Sequence, residues 1–575
     1  MRGSAARTII ELIAEPMKPD SATLPPWPLS PAKAMRHEAH FDSRVVRCFA
    51  TRPAGLAKML REATARHPDA EALVDGEQRW TWLQLAADSE RIAAGLRRLG
   101  VNVGDRVALL MGNRAEFVLA LYAIAQLGAV AVPISTRDSA KGVAFVIDQC
   151  GARAVMAQAD LANLLPASTS QDAALIQVLC SGADGVTASQ TPLSKSWESL
   201  VTRPAATSWS QEPEQKAHEE AEEAPAIILY TSGTTGQPKG AVITHFNLVH
   251  SALHYQACLG LETGERAVMA VPGSHVTGIV AIVAAMGAVA GCVIILREFK
   301  AGAFLQLAAR ERMSYTLMVP AMYALCLRDP GFTLLDLSAW RLGGFGGAPM
   351  PVSTIEQLAQ HCPGVRLFNA YGATETTSPA TLTPPGTSML DSAGVAVPCA
   401  DIRIMDDAGR EVPPGQSGEV WIGGPMVVPY YWNNPQATAL SFCGGYWKSG
   451  DIGTLDAAGF LRVHDRKKDM INRGGYKVFS VEVENCLMGH SSVLEAAAVG
   501  VPCPVLGERV HVFVHLSAGS QPGEALVEEL KGLCRRDLAN YKTPDAISFM
   551  PAPLPRNANG KILKRDLRER LLSTA

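Results

Sequence analysis

The chain has 575 residues, 47% hydrophobic and 19% charged, which is a globular composition and long enough for several domains or subdomains. Its net charge of −3 and pI near 6.5 leave no basic footprint for nucleic acid or an anionic membrane surface. The 12 cysteines form no CxxC pair, which argues against a zinc cluster or a secreted disulfide framework and for reduced, cytoplasmic thiols used as small core hydrophobes.

In chain order, residues up to about Arg44 are rich in Pro, Ala and Ser and read as a tail with at most local structure. Glu11 and Glu15 interrupt the apolar residues between Met1 and Met17, so no signal-peptide core forms. Asp75-Gly76 marks a hairpin turn. Thr81-Trp-Leu-Gln84 is a capping-box signature, and Leu85, Ile92, Leu96 and Leu99 continue at helical spacing until Gly100. Val107–Leu110 reads as a buried strand, Asn113–Leu127 as a helix closed by Gly128, and Ala129–Val132 as the next strand. Strand, helix and strand in this order predict a parallel sheet covered by helices.

Glu212, Glu214, Glu219, Glu220, Glu222 and Glu223 then form an acidic connection, read as a solvated surface run. His250 and His254 lie four apart on a predicted helix; without a third ligand they read as helix-surface or core-edge residues rather than a metal pair. Gly278–Leu296 runs for 19 residues without a charge, the length at which a membrane span is considered. Gly287 and Gly291 punctuate it and no aromatic or basic flanks mark an interface, so a buried helix followed by a core strand is expected and no transmembrane segment.

Chemistry enters at Ala226-Ile-Ile-Leu-Tyr230, a buried strand, followed by Thr231-Ser-Gly-Thr-Thr-Gly-Gln-Pro-Lys-Gly240. Backbone N–H groups and hydroxyls of Thr231, Ser232, Gly233, Thr234, Thr235 and Gly236 can converge on an anion, and Lys239 adds a point charge for a polyphosphate. Pro238 and Gly240 flank that lysine, so this is not the Walker loop. The string resembles the phosphate loop of the adenylate-forming superfamily, which includes acyl-CoA synthetases, luciferases and peptide-synthetase adenylation domains.

The resemblance extends from about residue 50 to 570, with further motifs in the family's order. Gly346-Gly347-Ala348-Pro349 is similar to the segment lining the adenine pocket. Tyr371-Gly372-Ala-Thr374-Glu375 is similar to the second nucleotide motif, which implies that Tyr371 packs on adenine, Thr374 reaches phosphate and Glu375 binds Mg²⁺ as a hard oxygen ligand. Asp451 matches the carboxylate that accepts hydrogen bonds from the ribose hydroxyls. Asp465-Arg466-Lys-Lys468-Asp resembles the hinge motif, with Arg466 on the nucleotide and Lys468 as the pivot. Gly474, Gly475 and Tyr476 resemble the stretch that shapes the thiol tunnel, and Lys561 matches the catalytic lysine. His275 matches a histidine that gates the acyl and thiol channel.

Three departures stand out: Asn557 where Thr is usual, Ser480 where Pro is common, and Tyr430 in place of Gly. None removes a charged catalytic group. The acyl pocket is expected near His275, Gly344, Gly346 and Ala370, and the small residues Gly343, Gly344 and Ala370 are read as room for an extended or aryl acid.

The resemblance implies an α/β fold: a large N-terminal domain of helix-covered, mainly parallel sheets, and a small mobile C-terminal α+β domain. The divisions are a tail, 1–44, an adenylation domain binding ATP and acid, 45–464, and a lid carrying the lysine, 465–575. The implied activity is ATP-dependent acyl-CoA synthesis through acyl-AMP, with ATP, Mg²⁺, coenzyme A and a small carboxylic acid as partners. A stand-alone enzyme loading a carrier protein, a luciferase-like oxygenase and a non-catalytic nucleotide- or acyl-binding relative are the alternatives.

Overall fold

In the computed structural model, which describes residues 27, 34–166, 175–181, 194–201, 222–231, 237–387, 392–517, 519–556 and 562–573, the first regular element is a hairpin. Strands Met35–His40 and Arg44–Phe49 pair antiparallel, so structure begins inside the stretch read as tail. Trp27, within the same stretch, is buried and donates from its indole N–H to Ala396 O at 2.8 Å. An indole buries a large apolar area once its one polar atom is satisfied, which is why a Pro-rich segment can still dock.

Two large sheets carry the bulk of the described chain. One runs in the order Lys239–Thr244, Pro225–Thr231, Val130–Pro133, Arg106–Leu110, Ala152–Gln158, Ile176–Cys180, Ser194–Ser196, and is parallel except for its first pair. The other has six parallel inner strands: Arg366–Ala373, Leu342–Gly346, Tyr315–Met318, Arg266–Met269, Cys292–Ile295 and Glu71–Asp75. Antiparallel strands flank both ends of that block. A third, antiparallel sheet spans Asp401 to Arg466, and a fourth spans Ile471 to Met550. The strand Leu461–Arg466 runs straight through the expected 464/465 division, and the fourth sheet begins five residues beyond Arg466.

Local signals explain the helices. Thr81 Oγ1 accepts from Gln84 N and the Gln84 side chain accepts from Thr81 N, so the capping box that starts the helix Trp82–Arg98 is complete. The expected helix from Asn113 starts two residues later, at Ala115. Asn113 is drawn off by tertiary partners: its Nδ2 donates to Met269 O, Val271 O and Leu296 O, and its Oδ1 accepts from Gly273 N. One amide side chain thereby shapes the loop leading to His275.

The uncharged stretch is almost entirely buried, as a π-helix Thr277–Ala284, an α-helix Ala285–Val289 and the strand Cys292–Ile295. Among the described residues no helix is long and apolar enough to cross a membrane. The π-helical turn was not foreseen; such turns widen a helix and recur at functional sites. All twelve cysteines are free, eight of them buried.

Two sequence expectations need correction. Glu222 and Glu223 are not merely solvated: Glu222 pairs with Arg52 at 2.6 Å, and Glu223 with His40 at 2.7 Å, which pins the N-terminal hairpin beside the strand that enters the phosphate loop. The other four acidic residues lie outside the described residues. His250 is not at a helix surface but fully buried. Its Nε2 accepts from Phe49 N at 3.3 Å and its Nδ1 donates to Phe246 O at 2.8 Å, which requires the neutral ring.

Burial pulls the His250 pKa from 6.5 to about 3. A depressed pKa contributes stability above the unfolded value and loses it as pH falls, here through the window from 6.5 toward 3. The wild-type chain is therefore expected to lose about 1.4 kcal/mol per pH unit from this group below pH 6.5. His250→Leu should be less stable at neutral pH yet show a flatter fall of Tm between pH 6.5 and 5; an unchanged slope would refute the assignment.

Candidate active site

Gly346, Gly347, Tyr371 and Gly372 lie at the carboxyl ends of inner strands, where open α/β sheets bind ligands. Gly346 ends the strand Leu342–Gly346, and Gly347 turns the chain with a φ of +77°. Tyr371 and Gly372 end the adjacent strand Arg366–Ala373. A Cβ on Gly346 would stand 2.5 Å from Ala370 O, and one on Gly372 only 1.7 Å from Ser378 O, so backbones approach here in a way only glycine permits.

Thr374–Thr376 form a single 3-10 turn, after which Thr377 and Ser378 adopt left-handed backbones with φ of 50° and 86°. Such strain persists only where surroundings impose it. Thr376 Oγ1 accepts from Ala373 N, Thr377 Oγ1 donates to Met426 O at 2.8 Å, and the Tyr255 and Ser378 hydroxyls meet at 2.7 Å.

This turn presents Glu375, a carboxylate only 8% exposed. Tyr431 donates its hydroxyl to Glu375 Oε1 at 2.8 Å, and the Tyr431 ring lies 5.2 Å from Lys239 Nζ. Among the described residues no basic side chain pairs with Glu375; burial raises its pKa, and the Tyr431 hydrogen bond only partly opposes this. A buried carboxylate that, among the described residues, uses one oxygen in a hydrogen bond and forms no ion pair suits a hard divalent ion delivered with a polyphosphate, so the residues fit Mg²⁺. Thr231 and Lys239 pair across the mouth of the phosphate loop. Ser232, Gly233, Thr234, Thr235 and Gly236 lie outside the described residues.

A second cluster joins three expected nucleotide residues. Tyr371 donates its hydroxyl to Asp451 Oδ2 at 2.7 Å, and Arg466 Nε stands 3.3 Å from Asp451 Oδ1. Burial and the Asp451 charge both push the Tyr371 pKa up, so it stays a protonated donor with its ring orientation fixed.

His275 takes a defined tautomer. Thr277 N donates to its Nδ1 at 3.3 Å, leaving the proton on Nε2, and burial lowers its pKa so that the ring is neutral. The expected room beside the small residues does not exist. A Cβ on Gly344 would lie 2.4 Å from Phe368 Cζ, and one on Gly343 would lie 3.0 Å from Leu367 Cδ2. Both glycines admit neighbouring core side chains rather than a large acid. Ala370 packs against the main core beside Phe368.

Beyond the strand ending at Arg466, Lys468 sits in a tight turn closed by Met470 N on Arg466 O. Gly474 and Gly475 turn with φ of 60° and 87°, and the Tyr476 ring, 61% exposed, stacks on Tyr541 at 4.8 Å. Ser480 N donates to the Asp465 carboxylate, and His464 stacks on Phe479 at 5.1 Å. Lys564 pairs with Glu484 and donates to Ser480 Oγ, each at 2.6 Å. Lys561 and Asn557 lie outside the described residues. The base of their loop is tied by Leu563 N on Pro555 O at 2.8 Å and by a bridge between Arg556 and Ile562.

Tyr431 is the site residue that sequence reading missed. It neighbours Tyr430, singled out in the sequence only for the glycine it replaces, and a signal was present in the aromatic run Tyr430-Tyr431-Trp432. Pairing explains it: Tyr431 bridges Ala241, and Trp432 N donates to Gly240 O at 2.7 Å, so the segment runs beside the strand carrying Lys239. Tyr431→Phe is expected to reduce kcat/KM for ATP about 10-fold without loss of fold, measured by pyrophosphate release; an unchanged value would remove Tyr431 from the site.

Residues 60–432 match the family described as AMP-binding enzyme, and residues 482–561 match the AMP-binding enzyme C-terminal domain. Feruloyl-CoA synthase of an Amycolatopsis species is 32% identical over 512 residues, 88% of this chain and 96% of that protein. The long-chain-fatty-acid–CoA ligase FadD13 of Mycobacterium tuberculosis is 34% identical over 522 residues, covering 90% and 98%. The o-succinylbenzoate coenzyme A synthetase of Bacillus subtilis, solved with ATP and a magnesium ion, superposes with a TM-score of 0.75 at 28% identity, covering 88% and 98%.

Proposed function

Because the chain belongs to the AMP-binding enzyme family and is an AMP-forming acyl-CoA ligase, we propose how its residues divide the two steps of that reaction. In the first step the acid's carboxylate oxygen bonds to the α-phosphorus of ATP as the bond to the β-phosphate breaks, giving acyl-AMP and pyrophosphate. In the second, the coenzyme A sulfur bonds to the acyl carbon, AMP leaves, and the thiol proton passes to solvent.

The loop Thr231–Lys239 holds the departing pyrophosphate. Tyr371 packs on adenine, while Asp451, steadied by Arg466, accepts from the ribose hydroxyls. Lys561 brings an ammonium to the α-phosphate as charge grows there. Glu375 would hold Mg²⁺, which would supply charge compensation to the polyphosphate. The body 45–464 carries the nucleotide residues, and the lid 465–575 turns about Lys468 between steps, withdrawing Lys561 and presenting Gly474–Tyr476. His275, neutral with Nε2–H, lines the approach of the acid.

One observation carries this reading: Glu375 is a buried carboxylate that, among the described residues, forms no ion pair, near the lysine of a phosphate loop. The acid belongs to the fatty and aryl carboxylic acids, the classes for which feruloyl-CoA synthase and FadD13 are named. Twelve free cysteines fit a cytoplasmic setting. The test is a screen of fatty and aryl acids for AMP release with and without coenzyme A. A thioester should form from at least one acid only when coenzyme A is present; AMP release with no thioester from any acid would refute the ligase reading.

A further inference from the structure

The hairpin Met35–Phe49 precedes the region matched to the family, yet it reaches the segment that carries Tyr431. Arg44 donates from Nη1 to Val427 O and Val428 O, both at 3.3 Å, and from Nη2 to Pro429 O at 3.0 Å. The rings of Phe41 and Phe442 lie 5.5 and 5.9 Å from its guanidinium. Among the described residues no carboxylate pairs with it, and burial alone shifts its pKa, downward. Removing a cation from water without a counter-charge is costly, so committing it to three successive carbonyls fixes their position tightly.

Those carbonyls belong to a strap, 425–432, whose other face is bound to the active site. Asn247 Nδ2 donates to Pro425 O at 2.7 Å and Val427 O at 3.2 Å. Thr377 Oγ1 donates to Met426 O, Val428 N donates to Glu375 O at 2.9 Å, and Tyr431 donates to the Glu375 carboxylate. Every residue that sets the Glu375 turn from this side therefore hangs on the strap. Arg44 holds the strap's outer edge, and the Glu222–Arg52 and Glu223–His40 pairs anchor the hairpin that carries Arg44.

We propose that Arg44 is a positioning residue for adenylation, holding the strap so that Tyr431 presents Glu375 to the divalent cation bound with ATP. The role rests on the assignment of Glu375 as the Mg²⁺ ligand. It also makes the N-terminal hairpin part of the catalytic apparatus.

The test uses the full chain and α,β-methylene-ATP, which cannot give up its adenylyl group, titrated calorimetrically with and without Mg²⁺. Wild type should bind more tightly with Mg²⁺. Arg44→Ala should lose about 5- to 10-fold in affinity with Mg²⁺ and less than about twofold without it. Arg44→Lys should fall between, because a point charge cannot fork across three carbonyls. Arg47→Ala, on the exposed side of the same hairpin, should bind as wild type does. In a Tyr431→Phe background, Arg44→Ala should add less than about twofold, since both act through one strap.

Equal losses with and without Mg²⁺, or fully additive losses in the double variant, overturn the proposal. If Arg44→Ala does not fold, Arg44→Lys carries the same comparison. A Glu375→Gln chain that binds the Mg²⁺ complex as wild type does would instead overturn the Glu375 assignment, and Arg44's role with it.

Discussion

Lys561→Ala is expected to lower the rate of acyl-AMP formation by about 10²- to 10³-fold while thioester formation from supplied acyl-AMP stays within about threefold of wild type. The asymmetry follows from where charge develops. In adenylation the α-phosphate becomes five-coordinate and more negative, and an ammonium placed there stabilises the transition state more than the ground state. In thioester formation the charge develops at the acyl carbonyl and on departing AMP, after the proposed turn of the lid would have taken the lysine loop away. The base of that loop is tied by backbone contacts and by the Arg556–Glu495 ion pair, none of which uses the lysine, so truncating that one side chain should leave the lid folded. Pyrophosphate release reports the first step and single-turnover thioester formation the second. Equal losses in both would remove Lys561 from its assigned role.

Glu375→Gln should lower kcat/KM for MgATP by about 10²-fold. Glutamine keeps the shape and an oxygen for the Tyr431 hydroxyl, so the hydrogen bond to the strap survives and no cavity opens. Among the described residues no protein ion pair is broken either, which makes this a clean removal of one negative charge. The loss should therefore appear as a weaker response to Mg²⁺ rather than as a lower Tm. A variant whose rate rises with Mg²⁺ over the same concentration range as wild type would show that the ion binds elsewhere.

The parts of the site contiguous in sequence were legible, because a motif keeps its residues together whatever the fold does. Tyr371, Glu375, Asp451 and Lys239 could all be named in advance. What joins them could not, since Tyr371 to Asp451 and Tyr431 to Glu375 are contacts across dozens of residues. Arg44 was placed at the end of a tail because its partners are carbonyls nearly four hundred residues away, and carbonyls leave no mark on a sequence. Gly343 and Gly344 misled for a related reason. A missing side chain signals space only if nothing else fills it, and strand pairing brings Phe368 and Leu367 into that space. In the fold, the capping box at Thr81 was read correctly from local chemistry, whereas Asn113 left its expected helix for partners in two other segments.

The contacts of Ser480 with Asp465 and of Phe479 with His464 span the proposed pivot, with one member of each pair on either side of Lys468. A turn about Lys468 cannot slide past them; it must break both together. Under the proposed turn the lid would act as a catch with discrete positions rather than a loosely tethered flap. Proline, common at position 480 in the family this chain resembles, has no N–H to offer Asp465. Ser480 therefore gives this chain one more contact across the proposed pivot than a proline could, a small difference in sequence placed where the proposed turn would act.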